Sequence, residues 1–306
     1  PYHLNPQITE AAIESSTSMV DLGGHTDNVR VQLKNNQLAK ESKITIVPDC
    51  GMGPGMNITM AILAMEQVDD AREIRIWDGG LPKVPIPPWN YNLFFHINGL
   101  TNEYFGDAYF IRDKKIKKVP CFEGIETIQF SDFVGKLEAA VTSGGLSTMP
   151  WTFENKLHIL ENKTLRYPGH WEWMKAYREL GLFSEEKVNC KGNEIIPREF
   201  YHSLLLPKIN RGLVEDVCLM RVECKGKLNN KDVVATVESI EYYDYETKFT
   251  AMEKWTGWHA SIMAIQIASS KIPYGAYPVE LALKGSDFKD EAMKRGFDIK
   301  IKVEQI

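Results

Sequence analysis

The sequence predicts an α/β protein that combines a parallel-sheet domain with an inserted α+β domain whose sheet is mainly antiparallel. Helical and extended patterns alternate over residues 5–67, which is typical of right-handed crossovers between parallel strands. A proline-rich stretch at residues 80–88 ends this alternation, because neither helix interiors nor central strands tolerate proline. Strand-like runs on both sides of residues 228–232 then indicate an antiparallel hairpin.

These patterns divide the chain into segments 1–78, 79–245 and 246–306. In the first segment, Asn5 and Pro6 favour a helix start. The elements that follow are strands at 19–22 and 43–47 and helices at 28–41 and 57–67. The middle segment is predicted to hold strands at 91–95, 108–112, 125–130 and 136–142, helices at 170–180 and 197–206, and the hairpin at 218–243. The last segment should contain a buried helix at 256–270 that returns to the first domain, a charged helix at 286–296 and an edge strand at 297–303.

Composition excludes several classes of function. Of the 306 residues, 43% are hydrophobic and 25% charged, as in folded globular proteins. The net charge of -5 argues against a nucleic-acid partner. The five scattered cysteines form no CxxC pair, which argues against a disulfide framework and a zinc site and favours a reducing cytoplasm. No apolar run is long enough to span a bilayer, so we expect no membrane association.

Two strand ends in the first segment are candidate ligand sites. In parallel sheets, ligands bind outside the carboxyl ends of strands, and here these ends are Gly23–Gly24 and residues 48–55, which we call the Asp49 bend. The glycines of this bend fail the GxGxxG fingerprint, since the third glycine would have to occupy Met56. A tight turn that brings Asp49 or Cys50 to a ligand is the preferred interpretation.

Five motifs give the chain a family resemblance. They are VDLGG at 20–24, PDCGMGPG at 48–55, GGLP at 79–82, TSGGLST at 142–148 and KTLRYPGH at 163–170. With these motifs the chain resembles the saccharopine dehydrogenase family up to about residue 296, and its lysine 6-dehydrogenase branch in particular. The resemblance implies a partial Rossmann-type domain, because the GxGxxG turn of the family lies upstream of the segment matched here. It also implies NAD or NADP as cofactor, an amino-acid substrate and a homodimer.

The resemblance further implies oxidation of a CH–NH bond. The first candidate is lysine, converted to 2-aminoadipate 6-semialdehyde or its cyclic piperideine-6-carboxylate, with saccharopine or a carboxylated polyamine as alternatives. A second hypothesis, of a different class, is a catalytically silent piece that dimerises and binds amino acids.

The candidate catalytic residues are Asp49, Cys50 and His170. By resemblance Asp49 lies where the nicotinamide would bind and could orient or deprotonate the amine, whereas Cys50 could pack on the ring. His170 is a candidate proton carrier. The structural alternatives are that Asp49 caps its turn and that His170 is a helix N-terminal residue with satisfied hydrogen bonds.

The candidate substrate-binding residues come from two other motifs. Arg166 is the expected bidentate clamp for a carboxylate, with Tyr167 and His170 on the same side of residues 163–170, which we call the Arg166 segment. An arginine in a structural ion pair is the alternative. Residues 142–148, which we call the connecting loop, offer polar groups to a carboxylate, and Ser147 and Thr148 are its candidate side chains. Glu103 is a further candidate, for recognition of an amino group.

The candidate cofactor-binding residues flank the two strand ends: Tyr2, Gly23, Gly24, Gly51 and Pro54. All of these assignments depend on one geometric expectation. The Asp49 bend and the Arg166 segment, far apart in sequence, must meet at a single cleft between two lobes.

Overall fold

The computed structural model describes residues 2–130 and 134–306. The strands are β1 (Met19–Val20), β2 (Thr45–Val47), β3 (Asp70–Pro82), β4 (Asp107–Arg112), β5 (Lys115–Pro120), β6 (Glu126–Gln129), β7 (Lys136–Val141), β8 (Ile159–Arg166), β9 (Val188–Cys190), β10 (Asn193–Ile195), β11 (Asp216–Leu228), β12 (Lys231–Tyr242), β13 (Gly275–Ala276) and β14 (Ile299–Gln305). The α-helices are α1 (Asn5–Glu14), α2 (Thr26–Leu33), α3 (Asn36–Glu41), α4 (Met56–Met65), α5 (Ile97–Glu103), α6 (Met149–Phe153), α7 (His170–Glu179), α8 (Pro197–Ile209), α9 (Ala251–Ala268), α10 (Val279–Ala282) and α11 (Gly285–Met293), and a 3-10 turn spans Tyr2–Leu4.

A small parallel sheet carries the first candidate site. Its order is β1-β2-β13, and both pairs are parallel. The central strand β2 is buried along its length, as its run of β-branched residues predicts. The predicted alternation of helix and strand is therefore confirmed here, although the helix expected over 28–41 is divided into α2 and α3.

A large mixed sheet forms the body of the molecule. Its order is β14-β12-β11-β3-β8-β4-β5, and the β6–β7 hairpin joins it through β8. The predicted hairpin is confirmed as β11 and β12, which stay in register from Val217↔Tyr242 to Leu228↔Lys231. The sheet is antiparallel except for the β3–β8 pair. This sheet and the small parallel one confirm the predicted fold class.

Residues 70–82, for which no strand was predicted, form one continuous strand across the proposed boundary. Strand β3 continues through Gly79 and Gly80 to Pro82, which pairs with Asp216. Proline is tolerated because it is the last residue of the strand. Glycine is required at position 79, since an added Cβ would lie only 2.6 Å from the carbonyl oxygen of Leu165. The proposed segment boundary between residues 78 and 79 therefore falls inside a continuous strand.

Two other expectations differ from the structure. Residues 91–95 form no strand and lead instead into α5, which begins at Ile97. Residues 159–166 form strand β8, for which no strand was predicted. In both cases aromatic and β-branched composition alone is a weak guide, because local propensity depends on the neighbouring strands.

Helix α9 joins the two sheets. Its N-terminus is fixed by a capping box of Thr250 and Glu253 and by the Asp216 carboxylate, which accepts hydrogen bonds from the first two helical N–H groups. One face buries Trp255 and Met263 against α4, β1 and β11. In the part of the chain that the structure describes, no helix is both long and apolar enough to cross a membrane. The predicted edge strand is confirmed as β14, which pairs with β12 of the large sheet.

Candidate functional site

The Asp49 bend holds a buried carboxylate in an unusual backbone conformation. Asp49 has a backbone φ of 62°, a left-handed value that residues other than glycine rarely adopt, and it is 2% exposed. Its Oδ2 accepts a hydrogen bond from Ser147 Oγ at 2.5 Å. Its Oδ1 has no hydrogen-bond partner among the described residues. A side chain at Gly23 would overlap this oxygen, so glycine is required there.

Burial raises the pKa of Asp49 to about 7. The hydrogen bond from Ser147 opposes this shift, whereas the negative charges of Asp21 and Glu280 reinforce it. A carboxyl group with a pKa near neutrality can gain and lose a proton at working pH, which is the property of a general acid or base. Oδ1 is the oxygen of this carboxyl group without a hydrogen-bond partner among the described residues, and it is buried beside Gly23.

Arg166 lies at the end of β8 and is 2% exposed. Its Nε donates to Tyr104 Oη at 3.0 Å, and its Nη1 donates to the carbonyl of Leu165 at 2.9 Å. The guanidinium carbon lies 4.9 Å from the Tyr91 ring centroid and 5.7 Å from that of Trp171. Aromatic rings thus pack against the guanidinium, and Nη2 is the nitrogen nearest to the carboxylate of Glu103.

Two carboxyl groups stand near this guanidinium. Glu103 Oε2 lies 3.6 Å from Arg166 Nη2, which is longer than a hydrogen bond. Burial raises the pKa of Glu103 to about 7; the Arg166 charge opposes the shift and the charge of Asp78 adds to it. Burial likewise raises the pKa of Asp78 to about 6, against the hydrogen bond that its Oδ1 accepts from Asn162 at 2.8 Å and the Arg166 charge.

Asp78 also contacts the Asp49 bend. A Cβ added to Gly53 would lie 2.8 Å from Asp78 Oδ2, so the backbone of the bend approaches this carboxylate closely. Because Asp78 also pairs with Thr164 on the neighbouring strand β8, it adjoins both the Asp49 bend and the Arg166 segment.

The connecting loop completes the junction. Asn57, the second residue of α4 after the bend, donates from Nδ2 to the carbonyl of Gly145 at 2.9 Å. Ser143 donates from Oγ to the carbonyl of Asn102 at 2.6 Å, and its N–H donates to the carbonyl of Glu103. Together with the Ser147–Asp49 hydrogen bond, these contacts connect the Asp49 bend through the loop to Glu103 beside Arg166, and the expectation that the bend and the Arg166 segment meet at a single cleft between two lobes stays a prediction. A cavity of about 20 Å³ is lined by Thr142, Gly144, Gly145 and Ser147 of the loop and by Asn162 of β8.

His170 does not have the free nitrogen that a proton carrier needs. Its Nε2 is hydrogen-bonded to Tyr104 Oη at 2.9 Å and its Nδ1 to the carbonyl of Trp89 at 2.8 Å. Burial, with the Arg166 charge as second cause, lowers the pKa of His170 to about 3. The imidazole is therefore neutral at physiological pH, and the structural alternative describes it better.

The expectation that Tyr167 shares a side with Arg166 is wrong. Successive residues at a strand end point to opposite faces of the sheet. Tyr167 donates its hydroxyl to the carbonyl of Pro82 at 2.9 Å and packs in a cluster with Trp77 and Leu219. The phenol beside Arg166 is that of Tyr104.

Cys50 and Thr148 also face protein groups. Cys50 is fully buried in the main hydrophobic core, where burial raises the pKa of its thiol well above the usual value. It is therefore a poor candidate for contact with a nicotinamide ring. Thr148 donates its hydroxyl to the buried carboxylate of Glu280 at 3.0 Å. Of the two loop side chains, only Ser147 contacts a candidate catalytic group.

The candidate cofactor residues form the rim of the Asp49 bend. The Tyr2 side chain covers Gly24, where an added Cβ would lie 2.7 Å from that of Tyr2. The Tyr2 ring stacks on His25, with centroids 6.1 Å apart. Gly51 packs against the carbonyl of Pro54, which closes the turn. These residues surround the Asp49 bend, and the Asp49 carboxylate is buried beneath them against Gly23.

Asp78 and Tyr91 are site residues that sequence reasoning missed. Asp78 precedes the Gly79–Gly80 pair at the end of what could have been recognised as a strand, and a carboxylate at such a position is a usable signal. Tyr91 lies in the segment misinterpreted as a strand, and nothing in its local sequence indicates that it lies beside Arg166.

Comparisons with known proteins agree with this architecture. The family model described as "Saccharopine dehydrogenase C-terminal domain" matches residues 51–295. A curated relative, saccharopine dehydrogenase [NADP(+), L-glutamate-forming] of Pyricularia oryzae, is 21% identical over 269 residues, which are 84% of this chain and 55% of the relative. The chain thus spans about half the length of that relative.

A solved structure shares the fold over almost the whole chain. The apo saccharopine dehydrogenase (L-Glu forming) of Saccharomyces cerevisiae superposes with a TM-score of 0.79 at 15% identity, covering 99% of this chain and 83% of that one. The family match extends over most of the chain and includes part of the Asp49 bend, the connecting loop and the Arg166 segment. The chain belongs to the saccharopine dehydrogenase C-terminal domain family.

Proposed function

We propose that this chain provides the substrate site of an NAD(P)-dependent oxidoreductase that oxidises a CH–NH bond of an amino acid. The family match and the NADP-linked relative support the reaction class. The observation that carries the proposal is the junction itself. A carboxyl group with a pKa near 7 and one free oxygen, Asp49, is connected through the loop to the buried guanidinium of Arg166.

The reaction has simple requirements. A hydride leaves the carbon that bears the nitrogen, a proton leaves the nitrogen, and the C–N bond becomes an imine that water hydrolyses or an internal amine attacks. The nicotinamide accepts the hydride when the cofactor is bound. The protein must hold the amine neutral and aim its C–H bond. Asp49 Oδ1 is suited to take the amine proton, while Ser147 holds Oδ2 in place.

The residues present fit one end of this cofactor. The orphaned Asp49 Oδ1 is a polar atom that the edge of a nicotinamide ring could satisfy, whereas Gly24 is covered by the Tyr2 side chain. The glycines of the Asp49 bend form a closed turn around Gly51 and do not match a phosphate-binding fingerprint. We therefore assign only the nicotinamide end to these residues.

Lysine is the first proposed substrate, oxidised at C6, and saccharopine is the alternative that the relative's name supports. A carboxylated polyamine remains the third candidate. Arg166 would hold the carboxylate far from the reacting carbon, because guanidinium and carboxylate form strong charge-assisted pairs.

The test is an assay of hydride transfer. Purified protein is mixed with NAD+ or NADP+ and with lysine or saccharopine, and reduced nicotinamide is followed by absorbance. We expect turnover with at least one pair and its loss in Asp49→Asn but not in the exposed control Asp27→Asn. Binding of lysine and saccharopine by calorimetry without any turnover would instead support the silent amino-acid-binding piece.

A homodimer is proposed as the assembly. Strand β14 pairs with β12 and leaves its other edge open in the described part of the chain. Light scattering on the purified protein tests this, and a monomeric mass would remove the proposal.

A further inference from the structure

We propose that Asp78, Glu103 and Tyr91 join Arg166 in a site for the α-amino-acid head group of the substrate. Arg166 and the Tyr91 hydroxyl would bind the carboxylate, and Asp78 and Glu103 would bind the α-ammonium. The inference rests on the proposed function, because it assigns the end of the substrate that does not react.

Arg166 is oriented for recognition. Two of its nitrogens are used inside the protein, by Tyr104 Oη and by the carbonyl of Leu165. The third, Nη2, lies 3.6 Å from Glu103 Oε2, beyond hydrogen-bond range. The guanidinium is therefore held rigidly with one edge not fully bonded, which is the arrangement that a carboxylate ligand can complete.

Tyr91 gives an independent indication of a ligand. Its side chain is 2% exposed, and its hydroxyl has no hydrogen-bond partner among the residues that the structure describes. Buried hydroxyl groups are nearly always hydrogen-bonded, so an unpartnered one needs an explanation. The ring packs on the Arg166 guanidinium at 4.9 Å, which places the hydroxyl in the same cluster. A ligand carboxylate bound at Arg166 would supply the missing acceptor.

The charges of the cluster favour a zwitterion. Two carboxyl groups lie near this guanidinium: Glu103 Oε2 is 3.6 Å from Arg166 Nη2, and Asp78 on β3 pairs with Thr164, two residues before Arg166 on β8. One carboxylate would suffice to balance Arg166. A ligand that brings one carboxylate and one ammonium adds no net charge to this cluster, whereas a bare carboxylate adds a further negative charge to a cluster in which carboxyl groups already outnumber the guanidinium. The Glu103 side chain is 29% exposed and marks the entrance.

This assignment separates the two ends of the substrate. The head group occupies the Arg166 cluster, and the reacting amine reaches the free Oδ1 of Asp49 across the connecting loop. Lysine and saccharopine share the lysine head group, so the inference does not depend on which of them is turned over.

The experiment is calorimetry on the full chain with three probes, in the presence and absence of NADP+. Lysine carries both head-group charges, cadaverine lacks the carboxylate, and 6-aminohexanoate lacks the α-amine. We expect lysine to bind at least about tenfold more tightly than either analogue, since each charge-assisted hydrogen bond contributes roughly that factor.

Variants then assign each contact. Glu103→Gln should reduce the preference for lysine over 6-aminohexanoate by about tenfold and leave the preference over cadaverine, because it removes only an ammonium partner. Tyr91→Phe should reduce the preference for lysine over cadaverine by about tenfold and leave the preference over 6-aminohexanoate, because it removes only a carboxylate partner. The exposed controls Glu172→Gln and Tyr109→Phe should change neither ratio.

The outcomes separate this inference from the proposed function. Equal binding of the three probes, or ratios unmoved by both variants, overturns the head-group assignment even if hydride transfer is observed. Selective binding without hydride transfer supports the head-group assignment and removes only the oxidoreductase. Failure of lysine to bind at all overturns the inference.

Discussion

The Asp49 bend and the Arg166 segment are connected through the loop but differ in how completely their polar groups are satisfied. Arg166 has hydrogen bonds to Tyr104 and Leu165 and is enclosed by aromatic rings. Asp49 has one partner, a free oxygen and a left-handed backbone. Strained, incompletely satisfied groups persist where function requires them. The difference is the reason for proposing that the Asp49 bend takes part in the chemistry and the Arg166 segment in recognition.

The largest effect is expected from Asp49→Asn. The amide keeps the shape but cannot take a proton, so kcat should fall by about a hundredfold or more, with a much smaller change in KM. Steady-state kinetics across the pH range checks this. Wild-type turnover at every pH would remove Asp49 from acid–base chemistry and break the contrast between the two regions.

Next in size is the effect of Arg166→Ala. Loss of a charge-assisted pair worth about 2 kcal/mol should raise KM by one to two orders of magnitude. Arg166→Lys serves as the second variant, since it keeps the charge but loses the planar fork, and we expect an intermediate KM. An unchanged KM for lysine in a folded Arg166→Lys protein would exclude the clamp.

The pH dependence of folding gives a smaller effect. Asp49 has a pKa raised from 3.8 to about 7, so the folded protein keeps a proton that the unfolded chain loses. Its contribution to stability therefore falls as pH rises from about 4 to about 7. When the pH is raised from about 5 to about 8, the change in the free energy of unfolding should be about 2–3 kcal/mol less negative in Asp49→Asn than in the wild type.

Denaturant unfolding at the two pH values measures this difference. The lowered pKa values of His170 and His259 act in the opposite sense, because stability from neutral buried imidazoles is lost as pH falls below the unfolded value of 6.5. Both proteins share these histidines, so the comparison isolates Asp49. Identical pH dependence in the two proteins would show that Asp49 is ionised in the folded state.

The smallest effect is expected from Tyr167→Phe. Its hydroxyl bonds to the carbonyl of Pro82 on the sheet face opposite Arg166, so the variant should lose about 1 kcal/mol of stability and keep its KM. Thermal unfolding and kinetics together test this. A raised KM would mean that both faces of the strand end contribute to the site.

Local sequence predicted the elements that depend on regular periodicity. The β11–β12 hairpin has an alternating pattern that its burial reproduces, whereas helix α9, expected to be buried, buries one face and leaves Ile265 41% exposed. Tyr167 was misplaced because the Arg166 segment was treated as a bend, whereas its first half is a strand with alternating faces.

Asp78 and Tyr91 could not be predicted in the same way. Gly79, Gly80 and Pro82 disguise the end of β3, although close packing against β8 is what requires the glycine at 79. Tyr91 lies in an irregular segment, and its position beside Arg166 depends on contacts between residues far apart in sequence. Such contacts leave no local periodicity to detect.

A crystal structure of the protein with bound lysine tests the central claim most directly. The account predicts density for one lysine that spans the junction, with its carboxylate within hydrogen-bond distance of Arg166 and its terminal amine directed at Asp49 Oδ1. Lysine bound away from Arg166, or with its terminal amine turned away from Asp49, would contradict it.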